Sequence, residues 1–347
     1  MKPFMEKFSP TPSDSPSRSW MRMTVLILGG LLVLRILALL ADPNSLYADE
    51  TQYWLWSRSV DWGYFSKPPM IAWIIAATTA MFGDADWAVR LAAPFLHTIT
   101  AMMLGLTAAR LFDARVGAFT ALGWATMPAV WLSSTIISTD AVLMAGFSTA
   151  LYALVRLREG PDWRFALLLG AAAGYAFLSK YAAIYLLIGL AVSAVIDAPS
   201  RRALISLQGA AALALFALII AGNMIWNAQH DFATVSHTAA NANWSGTLFH
   251  PEELADFLSG QLGVFGPVFF VILIAAVMTT FRATTLAWNT ARPRLMLVAF
   301  CLPVLVIVSA QAFISRAHAN WAASAYLTGL ILVIAFLLQG PAWRRWA

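Results

Sequence analysis

Pro69-Met-Ile-Ala-Trp-Ile-Ile-Ala-Ala-Thr-Thr-Ala-Met-Phe82 is the stretch on which the topology turns, because every later loop changes sides if it crosses a bilayer. Fourteen apolar residues fall short of the ~20 that a helix needs to span a hydrocarbon core of about 30 Å. The run is therefore expected to lie along one membrane surface. Around it the chain is 60% hydrophobic and 11% charged over 347 residues with 15 tryptophans, the composition of a polytopic membrane protein. Further apolar segments occupy residues 23–41, 91–111, 116–134, 141–155, 165–179, 182–196, 203–226, 262–281, 295–313 and 321–338. They predict about ten spans in an all-α bundle.

Charge supports a surface-lying 69–82 segment, since lysine and arginine concentrate in cytoplasmic loops. With that segment outside, 16 of the 22 basic residues face the cytoplasm, five lie outside (Arg58, Lys67, Arg90, Lys180, Arg316), and Arg35 sits inside the first span. With it crossing, only seven remain cytoplasmic. In the preferred arrangement eleven of the 17 acids lie outside, so unusual polar residues converge on the extracytoplasmic face. The basic clusters fall between spans, the positive-inside pattern, and no nucleic-acid partner is expected.

The remaining organisation is simple. Residues 1–20 are polar and Pro/Ser-rich and are expected to form a disordered cytoplasmic tail, with no cleavable signal, ahead of a transmembrane domain over 21–347. External loops are expected at about 42–90, 135–140, 227–261 and 314–320. The loop over 227–261 is long enough to fold over a site as a lid. Ser179-Lys180-Tyr181 punctuates two short spans, and a tight hairpin there would place an ammonium in an outer cavity. The single cysteine, Cys301, excludes a disulfide framework within the chain. His230, His237 and His250 lack tight metal-ligand spacing and read as loop residues. Arg35 and His97 are expected to be buried and hydrogen-bonded within the bundle.

The chemistry-bearing segment is Tyr47-Ala-Asp49-Glu50-Thr-Gln-Tyr-Trp54, followed by Trp62-Gly-Tyr64-Phe-Ser-Lys67-Pro68-Pro69. It resembles the first external loop of integral-membrane GT-C glycosyltransferases, most closely the glycosyltransferase 39 group of protein O-mannosyltransferases and lipid A aminoarabinose transferases. In that group an Asp-Glu pair follows the first span, and a Lys-Pro-Pro or His-Pro-Pro element precedes a juxtamembrane helix. Ser138-Thr139-Asp140 is similar to the group's second acidic site, and Arg316-Ala-His318-Ala-Asn320-Trp321 to an outer-face motif of bacterial members. Many members continue beyond the point matching Ala347 into more spans or a soluble domain, so the resemblance does not extend to acceptor recognition.

The resemblance implies a GT-C-type bundle with a helical juxtamembrane first loop. It also implies sugar transfer, with inversion, from a polyprenyl-phosphate donor to a lipid, glycan or protein acceptor of the cell envelope. The localisation that goes with it is the bacterial inner membrane, with the site facing the periplasm. Such a displacement needs a carboxylate to take the acceptor proton and cations for the departing phosphate. Asp49 is the expected base, with Glu50 and Asp140 as further catalytic carboxylates. Lys67, Lys180, Arg316 and His318 are the candidates for the donor phosphate, arginine being suited to bidentate contact. Tyr64, Trp244, Asn320 and Trp321 are the candidates for sugar or prenyl contact. No cofactor is required and no metal site is assigned, although Asp49, Glu50 and Asp140 offer oxygen ligands to a divalent cation.

Each residue also has a plainer reading. Asp49 or Asp140 would serve as a helix cap, Lys67 would snorkel, and Lys180, Arg316 and the tryptophans would anchor the interface. Two other functions compete with transfer. A transporter or flippase of a lipid-linked saccharide would keep polar groups near the midplane on broken helices, whereas here they gather at one surface. A noncatalytic scaffold would tolerate loss of Asp49.

Overall fold

The computed structural model describes residues 14–244, 248–283 and 292–339, with side chains from residue 19 onward. Its helices, in chain order, are α1 (Asp14–Leu40), α2 (Ala48–Ser57), α3 (Met70–Phe82), α4 (Asp86–Arg90), α5 (Ala92–Leu111), α6 (Ala114–Thr126), α7 (Pro128–Ser133), α8 (Thr139–Glu159) and α9 (Trp163–Ser179). They continue as α10 (Ile184–Ile196), α11 (Ala198–Leu204), α12 (Leu207–Gln229), α13 (Ala233–Ala240), α14 (Pro251–Val264), α15 (Pro267–Ala283), α16 (Pro293–Ile314) and α17 (Ala325–Gln339). No strand occurs among the described residues, and the all-α class is borne out. The tail expected over residues 1–20 is already helical from Asp14, and residues 1–13 lie outside the described residues.

Five helices are long and apolar enough to cross a membrane alone, and two bent pairs, Tyr181–Ile196 with α11 and α14 with α15, qualify together at bends of 119° and 105°. The remaining spans needed for ten are short. Helices α6, α9 and α17 have 13, 17 and 15 residues, or roughly 20–26 Å at ~1.5 Å per residue. Apolar periodicity finds such segments but does not give them full span length.

Helix α3 forms the expected short segment, its 13 residues covering about 20 Å. It starts after Pro69 and stops at Gly83, whose φ of 80° ends the helix in a conformation that glycine adopts freely. Ile71 and Ile75 are buried against Tyr53, Val89, Ile137, Ala141 and Val142, while Met81 and Phe82 stay exposed. The bundle core is formed by α5, α6, α8, α9, α16 and α17. The outer apolar faces of α1 and α12 remain uncovered by protein, as lipid-facing helices require.

Candidate active site

Both acidic motifs open a helix, and in both a neighbour does the capping. At α2 the Glu50 side chain reaches back to accept the Tyr47 N–H at 3.0 Å, the return arm of a capping box. At α8 the Ser138 hydroxyl accepts the Ala141 N–H at 3.3 Å. Asp49 and Asp140 are thereby released from the capping that sequence alone allows them.

The two acids meet in a cavity of about 640 Å³ at one end of the bundle. Asp49, Lys67, Asp140, Lys180, His318, Asn320 and Trp321, all expected on the outer face, line it together. This convergence requires α3 not to cross, since Lys67 precedes α3 and Asp140 follows it. Lys180 caps α9 in extended conformation ahead of a 3-10 turn over Tyr181–Ala183, so the expected hairpin tip does carry an ammonium into the cavity.

Asp140 is held from two sides. Lys180 Nζ donates to Oδ1 at 2.7 Å and Asn320 Nδ2 to Oδ2 at 2.9 Å. Asn320, expected to contact substrate, thus lines the cavity while orienting Asp140. Tyr53 stands near both acids. Burial first, and then Asp49 and Asp140, hold its phenol above the usual range, so it stays a neutral hydroxyl. Lys67 makes no ion pair with a described residue. Burial pushes its pKa below the ordinary lysine value, nearby Lys180 adds to that, and Asp49 and Asp140 partly restore it. The cavity therefore offers one exposed carboxylate, Asp49, opposite two neighbouring cations.

Four of the expected site residues lie outside the cavity lining. Glu50 does not face the cavity. It is buried beside Arg90, whose Nε donates to Oε1 at 3.0 Å and whose Nη2 donates to Oε2 at 2.8 Å, while the Ile137 N–H reaches Oε1 at 2.8 Å. Tyr64 is also buried, stacked on Trp56 at 4.9 Å, with its hydroxyl bonded to backbone at Trp56, Ser59 and Asp61. Arg316 is exposed outside the cavity lining, its carbonyl accepting from Gln311 at 3.1 Å. Trp244 is exposed and does not line the cavity itself, although it donates to the lining residue Gln311 at 2.8 Å.

Other lining residues escaped the sequence: Tyr53, Tyr181, Tyr185, His237 and Gln311. Tyr181 donates to Asn223 at 2.9 Å and accepts from Asn227 at 3.0 Å, which fixes its ring on the wall. The region over 227–261 forms part of the wall through α13. Thr234 donates to the Tyr64 carbonyl, His237 packs on Phe65 at 5.0 Å, and His237, Thr238 and Asn241 face the cavity. Residues 245–247 of this expected lid lie outside the described residues. The first loop docks on α12 through two reciprocal ring contacts, Trp226 over Gly63 and Trp62 over Gly222, where any Cβ would enter the indole. Ile184, Tyr185, Ile307 and Val308 of α10 and α16 make one wall apolar, and Ile184 and Ile307 are also exposed. Among the described residues no three His, Cys, Asp or Glu side chains gather as a metal set.

Comparisons with known proteins place the chain among similar sequences and folds. Residues 66–226 match the family described as dolichyl-phosphate-mannose-protein mannosyltransferase. The lipid A galacturonosyltransferase RgtD of Rhizobium johnstonii is 36% identical over 314 residues, which is 90% of this chain and 65% of that protein. The lipopolysaccharide core galacturonosyltransferase RgtA of the same organism is 26% identical over 203 residues, 58% of this chain and 41% of its own length. The chain therefore spans less than two thirds of either relative. Among solved structures, ArnT from Cupriavidus metallidurans bound to undecaprenyl phosphate superposes with a TM-score of 0.71 at 22% identity, covering 94% of this chain and 61% of that one. The resemblance to GT-C proteins of the glycosyltransferase 39 type is borne out, and the fold is that of a multi-pass GT-C membrane protein.

Proposed function

We propose that this GT-C protein transfers a sugar from a polyprenyl-phosphate carrier to a lipid or glycan acceptor of the cell envelope, at the periplasmic face of a bacterial inner membrane. The observation that carries the reading is the single cavity in which Asp49 stands free opposite Lys67 and the Asp140–Lys180 pair. The names of its relatives favour galacturonic acid as the sugar and lipid A or lipopolysaccharide core as the acceptor. Undecaprenyl phosphate, bound in the ArnT neighbour, is the corresponding carrier.

In the proposed step Asp49 takes the proton of the acceptor hydroxyl as that oxygen bonds to the anomeric carbon. The bond from that carbon to the phosphate oxygen breaks on the opposite side, inverting the centre. The departing phosphate gathers charge, which Lys67 and Lys180 neutralise. Asp140, held by Lys180 and Asn320, keeps the Lys180 ammonium aimed. His318 lies beside this group, edge to face with Trp321 at 5.4 Å, and Trp321 and Tyr181 offer ring faces to the sugar. The apolar wall of Ile184, Tyr185, Ile307 and Val308 takes the start of the prenyl chain. No cofactor is needed for this step. Of the three acids considered for a divalent cation, Glu50 is committed to Arg90, which leaves Asp49 and Asp140.

The test is reconstitution of the full chain in proteoliposomes with undecaprenyl-phosphate [14C]galacturonate and lipid A. Label appearing in lipid A with inverted anomeric configuration supports the reading. Label that changes leaflet without reaching an acceptor would make the protein a transporter.

A further inference from the structure

Beneath the outer surface, Arg35 of α1 is buried to 2% exposure, and among the described residues no carboxylate pairs with it. An uncompensated cation in a membrane helix is expensive to retain and marks a role beyond packing. Its contacts indicate that role. Arg35 Nη2 donates to the carbonyl of Ala125, at the end of α6, at 2.5 Å, and the guanidinium carbon lies 5.3 Å from the Trp131 ring of α7. Its Nε has no hydrogen-bond partner among the described residues. Beside it, buried His97 of α5 shares a 2.9 Å hydrogen bond with Ser133, the last residue of α7.

Helix α7 is a strap of six residues between two bundle helices. The chain that leaves it supplies the Ile137 N–H to Glu50, then the Ser138 cap of α8, then Asp140. Glu50 in turn adjoins Asp49 on α2. The strap thus leads directly into the segment that bonds α2 at Glu50 and caps α8 at Ser138, and it is tied down at Trp131 and Ser133, and at the Ala125 carbonyl just before it, by side chains from α1 and α5.

We propose that Arg35 and His97 are positioning residues, holding the α7 strap at the height that sets Asp49 and Asp140 in register across the cavity. The activity arm of this inference rests on the transferase reading; the structural arm does not. Arg35 uses one hydrogen bond and a cation–π contact, both within reach of lysine but not of methionine. Removing an unpaired buried charge should itself stabilise the bundle.

The experiment compares wild type with Arg35→Met, Arg35→Lys and Ser133→Ala in nanodiscs. The readouts are thermal unfolding, amide exchange at Ile137 and transfer of [14C]galacturonate from undecaprenyl phosphate to lipid A. For Arg35→Met the expected result is an unchanged or raised unfolding temperature with exchange at Ile137 faster by about 10-fold. Its kcat is expected to fall by about 10- to 100-fold with little change in donor KM. Arg35→Lys should recover most of both losses, and Ser133→Ala should shift exchange and kcat in the same direction as Arg35→Met. A lowered unfolding temperature with exchange raised throughout the bundle would show a merely structural arginine and overturn the proposal. So would Ile137 protection that matches wild type in Arg35→Met or, should that variant not fold, in Ser133→Ala. Wild type without transfer activity would refute the transferase reading, leaving the exchange results to decide this one.

Discussion

Arg90 and Glu50, 40 positions apart, form a fork-to-fork ion pair with side chains only 2% and 3% exposed. Arg90 also reaches Asp42 at 3.1 Å and the carbonyls of Asn44 and Ser45 at 2.9 Å, so one guanidinium gathers the entire turn before α2. Glu50 carries the same bond set across to Ile137. The pair is the clasp of the outer surface, and Asp49 is exposed on the side it leaves free.

Breaking that clasp on one side should be severe. Glu50→Gln leaves the buried Arg90 with only the more exposed Asp42 as counter-charge, and unfolding is expected to become easier by about 3 kcal/mol, measured by thermal or detergent denaturation. The double variant Glu50→Met/Arg90→Met should regain much of that stability but not transfer activity, because the turn before α2 loses its anchor. Full activity in the double variant would return Glu50 to a passive role.

Lys180 is expected to act on phosphate through a charge that Asp140 holds in place. Lys180→Met should lower kcat by about 10²–10³-fold, the cost typical of removing one donor to a developing anion. Asp140→Asn should act in the same direction by freeing the ammonium, and the two losses should not add. Additive losses in a double-mutant cycle would separate the two residues.

Lys67 predicts a pH dependence. Its folded pKa lies below the unfolded value, chiefly through burial, so the unfolded chain holds that proton more tightly in the window between the two. Stability contributed by this group therefore rises with pH across that window. Donor affinity runs the other way. As pH rises through the lowered pKa the cavity loses a cation, so donor KM should climb earlier on the alkaline side than an ordinary lysine allows. Lys67→Arg, which stays charged, should push that limb to higher pH. An unshifted KM profile in Lys67→Arg would remove Lys67 from the phosphate.

Much of the site was legible because the bilayer sorts residues. Lys67, Asp140, Lys180, His318 and Asn320 each flank an apolar run, and counting crossings was enough to bring them to one face. What failed was direction at the scale of single residues. Asp49 and Glu50 are neighbours on a helix, where successive side chains point about 100° apart, and here Asp49 enters the cavity while Glu50 turns to Arg90. Pattern alone did not tell which one would. Arg90 looked like a loop charge because its partners are 40 or more positions away. Tyr64 looked like a sugar platform until its hydroxyl was found bonded to three backbone groups. His237 reached the wall through α13, a helix too short and too polar for an apolar pattern to reveal.

The most direct test of the account is single-turnover transfer by Asp49→Asn with undecaprenyl-phosphate [14C]galacturonate and lipid A, alongside donor binding by the same variant. A missing general base should slow transfer by about 10²–10⁴-fold while donor binding persists, since Lys67 and Lys180 remain. Transfer at the wild-type rate would contradict Asp49 as the base and with it the chemistry assigned to the cavity.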